Sequence, residues 1–200
     1  ISHPRRIYDL NRSQVPGTHI RGGFWTVDML GTNKDTVFRN TAWELCQGDG
    51  IKTVRGGTGA ERVLVDNCLF QDSGRDGIDT TGGFKDSTVR NTIFRRLFSG
   101  LDIKSGYGEP GHLSDGIRNT NIDIENCRFT DTTAMSLSTL DRGLRNGYGH
   151  LLNTDNCHEL APHDIDLDDC VFERTGSGGM KMILMKGGHT VRYSNAQFWT

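Results

Sequence analysis

Residues 62–106, RVLVDNCLFQDSGRDGIDTTGGFKDSTVRNTIFRRLFSGLDIKSG, state one pattern twice. Asn67 is followed three residues later by Phe70 and then by Ile78-Asp79; Asn91 is followed three later by Phe94 and then by Leu101-Asp102. Each copy has short apolar runs on either side of an asparagine and a glycine just before the last run. No helical period is present, and a repeat of this length built from short β runs is the mark of a solenoid.

The unit extends in both directions. An Asn-x-x-aromatic element recurs at Asn40/Trp43, Asn67/Phe70, Asn91/Phe94, Asn126/Phe129 and Asn195/Phe198, with Asp169/Phe172 as a variant, at successive spacings of 27, 24, 35, 43 and 26 residues. The residues four and two before the corner are mostly apolar (Val63 and Val65, Ile122 and Ile124, Ile165 and Leu167, Val191 and Tyr193), and a small residue follows it (Thr41, Cys68, Thr92, Cys127, Cys170, Ala196). Alternation on both sides of a polar corner means two short strands meeting at a tight turn. Stacked at about 4.8 Å, such coils bury like residues on like and let the corner amides hydrogen-bond along the stack. The pattern predicts an all-β chain, a single-stranded right-handed parallel β-helix of six to seven coils, with Trp43, Phe70, Phe94, Phe129, Phe172 and Phe198 stacked inside.

Residues 1–17 are polar and basic and read as a lead-in; residues 18–200 read as the β-helix domain. A first coil is expected from His19 to Asp35, with Gly22 in the asparagine column and Trp25 in the aromatic column. Coils at 36–60, 61–86, 87–120, 121–162 and 163–188 follow, and a partial one begins at 189. The chain ends in mid-coil, which makes it a piece of a longer solenoid on this reading, because solenoid ends need covering.

Composition fits. Hydrophobic residues make up 34% of the 200, which is lean for a globular core but sufficient for a thin stack of inward side chains. The 26 glycines and 4 prolines suit many tight corners. A net charge of −2 gives no general attraction to nucleic acid or anionic membrane, and no apolar run approaches the ~20 residues of a membrane span. The five cysteines lack metal-ligand spacing; Cys68, Cys127 and Cys170 share the inward column and read as buried thiols.

Excess length falls in two places. SGYGEPGHLSDGIRNT (105–120) separates the strand ending at Lys104 from the next, and TLDRGLRNGYGHLLNTDNCHELAPH (139–163) follows the equivalent strand one coil later. Both insertions therefore lie at one corner, and long loops on a rigid scaffold commonly build a binding site. Four histidines, His112, His150, His158 and His163, lie in or beside them without metal-ligand spacing.

The strand before those insertions has inward residues Ile51, Ile78, Leu101, Met135 and Met180, each followed by an outward one: Lys52, Asp79, Asp102, Ser136 and Lys181. A second outward column is Val54, Thr81, Lys104, Ser138 and Ile183, and Asp49 and Asp76 precede the strand at matching positions. The expectation is an exposed patch of Asp49, Lys52, Asp76, Asp79, Asp102 and Lys104. Two carboxylates about 5 Å apart repel by about 3 kcal/mol at an effective dielectric near 20, or by about 1 in open water. Lysines can offset that as a ladder of ion pairs. Ca²⁺ can also do so, since clustered carboxylates are hard-oxygen ligands.

The coil pattern over residues 36–200 and the acidic patch resemble the pectate-lyase-like superfamily of parallel β-helix proteins. Asp49, followed one coil later by Asp76-Gly77-Ile78-Asp79, is similar to the calcium cluster of family 9 polysaccharide lyases. The chain differs in having Arg75 where that cluster has an acidic residue, and Asp102 where the family's base tends to follow a Gly-aromatic pair. The resemblance implies a secreted, cell-surface or periplasmic enzyme that cleaves an acidic, uronate-containing polysaccharide by calcium-assisted β-elimination. It implies a metal site at Asp49, Asp76, Asp79 and Asp102, a lysine base for which Lys104 in GLDIKSG is the candidate with Asp102 beside it, and sugar-carboxylate contacts from Lys52, Arg75, Arg95 and Arg96. A C5-epimerase begins with the same proton abstraction. The alternative of another class is a non-catalytic stalk, adhesin or tail-fibre segment. Asn153-Thr154-Asp155 is similar to an element of polygalacturonase-type hydrolases, but their Gly-His-Gly and Arg-x-Lys elements are missing.

Overall fold

Period-two alternation with a polar residue every few positions leaves room only for short strands and sharp corners. A computed structural model of the chain describes residues 5–7, 17–21, 27–29, 33–53, 59–80, 82–104, 119–138, 163–175, 183–186 and 191–199, the backbone alone at 5–7, 17–21, 104, 133–138, 163 and 183–186. Among these residues the regular structure is strand throughout, in three sheets. The aromatic sheet runs Arg5–Ile7, Gly17–Arg21, Thr41–Glu44, Leu69–Gln71, Ile93–Arg95, Arg128–Thr130, Val171–Glu173, Gln197–Trp199. The acidic sheet runs Val27–Met29, Ile51–Thr53, Asp76–Asp79, Ser99–Lys104, Thr133–Ser138, Ile183–Lys186. The third sheet runs Asn33–Lys34, Ala60–Glu61, Phe84–Arg90, Asn119–Glu125, His163–Asp168, Val191–Ser194, with Val37–Arg39 and Leu64–Asp66 paired alongside. The chain visits the three sheets in turn and adds a parallel strand to each, the arrangement of a β-helix-like solenoid. Arg5–Ile7 pairs antiparallel with Gly17–Arg21, so the expected lead-in contributes a strand at that end of the aromatic sheet.

The predicted aromatic column is present. Ring centres are 4.5 Å apart for Trp43–Phe70, 5.1 Å for Phe70–Phe94, 5.0 Å for Phe94–Phe129, 5.4 Å for Phe129–Phe172 and 4.9 Å for Phe172–Phe198, all nearly parallel. Ile51, Ile78 and Leu101 face them from the acidic sheet, and Val65, Val89, Ile124 and Leu167 from the third, in one continuous core. The small-residue column lies inside as well. Cys68, Cys127 and Cys170 are buried free thiols whose Sγ atoms donate to the carbonyl two residues back, as the Thr92 hydroxyl does to Arg90. Burial pushes the Cys68 thiol up to about 11, which keeps it protonated and unreactive.

Corners are the economy of this fold. Every non-glycine residue with positive φ among the described ones falls into one of three columns. Asn40, Asn67, Asn91, Asn126, Asp169 and Asn195 form the expected one; Asp35, Arg62, Asp86, Asn121 and Asp164 form a second; Leu45, Asp72, Arg96 and Asp131 form a third. The backbone N–H at these corners donates to the next coil, as in Leu45 to Gln71 (3.3 Å), Arg62 to Lys85 (2.9 Å) and Asn126 to Asp168 (2.9 Å), so the inter-coil ladder continues through the bend. Left-handed backbone costs a non-glycine residue of order 1 kcal/mol, and these bonds offset it. The amide ladder itself is partial: Asn67 donates to Asn40 and Asn126 to Asn91, each at 2.8 Å, whereas Asn91 turns to Asp66 and Asn195 to Asp168.

Two registers differ from expectation. At the start, Thr18 pairs with Thr41 and Ile20 with Trp43, so Gly17 and Ile20 hold the corner and ring positions assigned above to Gly22 and Trp25. An aliphatic residue in the ring column hides that coil from a reading keyed to aromatics; Gly22 and Trp25 lie outside the described residues. At the other end Met135 pairs with Ile183 and Ser138 with Lys186. Ile183, and not Met180, is thus the residue in register with Met135; the preceding Gly176-Ser177-Gly178-Gly179 has no alternation in its sequence to set that register. Met180, Lys181, Val54, Thr81 and Asn153–Asp155 also lie outside the described residues.

Candidate functional site

The acidic sheet is positioned by a glycine that the ring column requires. A Cβ on Gly77 would stand 2.7 Å from the Gly100 carbonyl oxygen and 2.8 Å from the Phe94 ring; one on Gly50 would stand 2.7 Å from both the Gly77 oxygen and the Phe70 ring. The chain passes so close to the stack that only glycine fits, and the apolar residue that follows drops into the core. This fixes Asp-Gly-Ile-Lys over Asp-Gly-Ile-Asp over Ser-Gly-Leu-Asp, with Ile51, Ile78 and Leu101 paired in register. One column on this sheet is then Asp28, Lys52, Asp79 and Asp102, and Asp76 is in register with Ser99.

Carboxylate oxygens of Asp49, Asp76 and Asp79 lie within 4.8 Å of one another. Lys52 Nζ donates to Asp79 Oδ2 at 2.8 Å and to Asp49 Oδ2 at 3.0 Å, and the Asp76 backbone N–H approaches Asp49 Oδ1 at 3.4 Å. Burial acts against the Lys52 charge, but Asp79 and then Asp49 outweigh it, and its pKa stands above the ordinary lysine value. Lys52 is therefore an ammonium ion over the whole neutral range.

The patch is not exposed as expected. Asp49 is 0%, Asp76 5%, Asp79 2% and Asp102 6% exposed, and the Lys52 side chain 18%. All four positions of Asp76–Asp79 are buried, so this strand is shielded on its outer face as well as its inner one. Parallel sheets are commonly covered on both faces, and alternation by itself separates the two faces without saying which meets water. The Lys52–Asp49–Asp79 contact is accordingly a desolvated ion-pair network and not a surface ladder.

Of the residues expected to form the site, the structure brings together Asp49, Asp76, Asp79 and Lys52. Asp102 follows Asp79 in the column and stands outside the close group of three. Lys104 closes the strand Ser99–Lys104 two residues past Asp102, its backbone in register with Ser138; its side chain lies outside the described residues. Arg75 is exposed beside Asp76. Arg95 closes the strand Ile93–Arg95 in the middle of the aromatic sheet and Arg96 is the corner that follows it; Arg95 binds the Gln71 side chain and Arg96 forms a fork with Asp72 at 2.5 and 2.7 Å. Both long insertions lead from the acidic sheet to the third, after Lys104 and after Ser138. Residues 105–118 and 139–162 of the insertions, with His112, His150 and His158, lie outside the described residues, as does the side chain of His163.

One polar row went unnoticed in the sequence. The residue before each corner runs Arg39, Asp66, Arg90, Glu125, Asp168, and Asp66 accepts from Arg39 (3.1 Å), Arg90 (3.2 Å) and Asn91 (2.9 Å). The alternation of sign from Arg39 to Glu125 was there to find, one position before each asparagine. It ties coils together and holds no converging group for chemistry. Compared with known proteins, the chain matches no family model, no curated protein and no solved structure.

Proposed function

We propose that the chain is a right-handed, single-stranded parallel β-helix of the pectate-lyase-like kind and a lyase acting on an acidic, uronate-containing polysaccharide outside the cytoplasm. Crossovers between parallel strands of one sheet are right-handed almost without exception, which supports the handedness. The observation that carries the functional reading is the convergence of Asp49, Asp76 and Asp79 within 4.8 Å on the sheet from which both long insertions leave.

These carboxylates suit a hard divalent cation, calcium by ligand type, and Asp102 is next in line. Calcium takes about six to eight oxygens, so three or four protein carboxylates leave room for a sugar carboxylate and water. Bound there, the ion would neutralise the uronate carboxylate and make the neighbouring C5 proton more acidic. Lys104 is assigned as the base that takes that proton, since its place two residues beyond Asp102 returns to the same face of the strand at the foot of the first insertion. Arg75, exposed beside the cluster, is assigned to a sugar carboxylate; Lys52, held by Asp49 and Asp79, is assigned to the cluster itself.

Uronate polymers incubated with the protein should yield unsaturated products that absorb in the ultraviolet, and a chelator or Lys104→Ala should abolish the signal. Lys104→Arg, which keeps the charge but is a far weaker base, should be equally inactive. C5 inversion without absorbance would make the protein an epimerase on the same substrate class. The Lys52 bridge favours a second reading, in which the cluster is a neutralised internal network of a non-catalytic stalk, adhesin or tail-fibre segment. That reading takes over if no uronate polymer is cleaved or epimerised.

A further inference from the structure

Lys52 occupies the position from which a cation would serve the acidic sheet. Its ammonium bonds one oxygen of Asp49 from its own coil and one of Asp79 from the next. Those same residues, with Asp76, make up the close group of carboxylates. Along the column Lys52 lies between Asp28 and Asp79, so acidic residues flank it on both neighbouring strands. With Asp49 and Asp79 almost wholly buried, their charge has to be met by a partner inside the protein and not by water.

We propose that the Lys52 ammonium is the resident counter-ion of this cluster and that a divalent cation enters only by displacing it. The identity of the ion rests on the calcium reading made above; the role of Lys52 does not. Asp49 Oδ2 and Asp79 Oδ2 each accept from Lys52 Nζ, and an ion held by both oxygens would stand against a second positive charge at bonding distance. The lysine must swing away before the ion settles. Its flexible four-carbon stem allows that movement, whereas Asp79 is carried by the strand Asp76–Asp79 and Asp49 is wholly buried just ahead of Ile51–Thr53. Occupancy is thus a competition between a tethered monovalent cation and a free divalent one. Wild-type affinity for the ion is set low, so the site fills only where the ion is plentiful or where a bound anionic sugar adds its own oxygens.

Calcium binding by calorimetry, up to about 10 mM, on wild type, Lys52→Met and Lys52→Gln tests this directly. Both substitutions remove the competitor, and Gln retains a polar group that can still donate to the carboxylates and favours folding. Each variant should bind calcium about tenfold or more tightly than wild type. Each should melt lower than wild type in chelator and regain stability when calcium is added. If wild type takes up no calcium but the variants do, Lys52 is the permanent counter-ion: the inference holds and the calcium-assisted lyase reading fails. If wild type binds and the variants bind no more tightly, Lys52 does not compete and the inference falls while the lyase reading survives. Absence of binding in all three overturns both. Variants that fold only in calcium support the inference, and variants that calcium does not help to fold count against it.

Discussion

Asp66 shows how one side chain can hold two coils together. It is almost fully buried one residue before a corner, and burial alone would raise its pKa. Hydrogen bonds from Arg90 and Asn91, with the charges of Arg90 and Arg39, more than reverse that and hold it below the usual aspartate value. A carboxylate whose folded pKa is below its unfolded one contributes stability that is complete above the unfolded value, about 4, and is lost as pH falls through the folded value. Asp66→Asn should therefore cost about 1–3 kcal/mol near neutral pH, the range for hydrogen bonds to a charged group. The gap to wild type should narrow as the pH drops below about 4. Urea denaturation of both proteins across that range checks it; a gap that stays constant into acid would mean the ionised carboxylate is not what stabilises the corner.

At the scale of the strand and its corners, the decisive contact is between Gly77 and the stacked rings. Gly77→Ala drives a methyl group against the Gly100 oxygen and the edge of Phe94, neither of which can move without disturbing the column. The expected loss is about 1–3 kcal/mol, the usual effect of overpacking a filled site, seen as a lower urea midpoint with an unchanged slope. The same element explains what the sequence disclosed. The ring and asparagine columns were readable because the same chemistry recurs where the same environment recurs, from Trp43 to Phe198 and from Asn40 to Asn195. The other two left-handed columns were not, because Arg62, Leu45 and Arg96 are ordinary-looking residues whose backbone is bent by the fold and held by the next coil's carbonyl. For the site, spacing was enough to align Asp49 with Asp76 and Lys52 with Asp79. Burial was not readable: alternation gives the side of the sheet a residue takes, and shielding of that side depends on what packs over it.

Over the whole molecule, stability should be distributed as a chain of neighbour contacts, because each coil touches mainly the coils before and after it. The ring column supplies the comparison. Phe94 is fully buried, with Phe70 at 5.1 Å on one face and Phe129 at 5.0 Å on the other. Among the described residues Phe198 makes the same kind of contact on one side only, with Phe172 at 4.9 Å, and is 54% exposed. Phe94→Ala removes a ring from between two others and leaves a cavity, a change that costs about 3–5 kcal/mol in filled cores. Phe198→Ala removes a half-exposed ring with no cavity enclosed and should cost less than about 1.5 kcal/mol, near the worth of one aromatic contact and partial burial. Location should separate them further. Hydrogen exchange in Phe94→Ala should accelerate in Leu69–Gln71 and Arg128–Thr130 together, since both lose the ring that joined them. In Phe198→Ala it should accelerate only in Gln197–Trp199 and Val171–Glu173, leaving the middle coils protected. Equal and global acceleration in the two variants would contradict the neighbour-by-neighbour account, because it would require the stack to open as one cooperative block however far the missing ring lies from the strand observed.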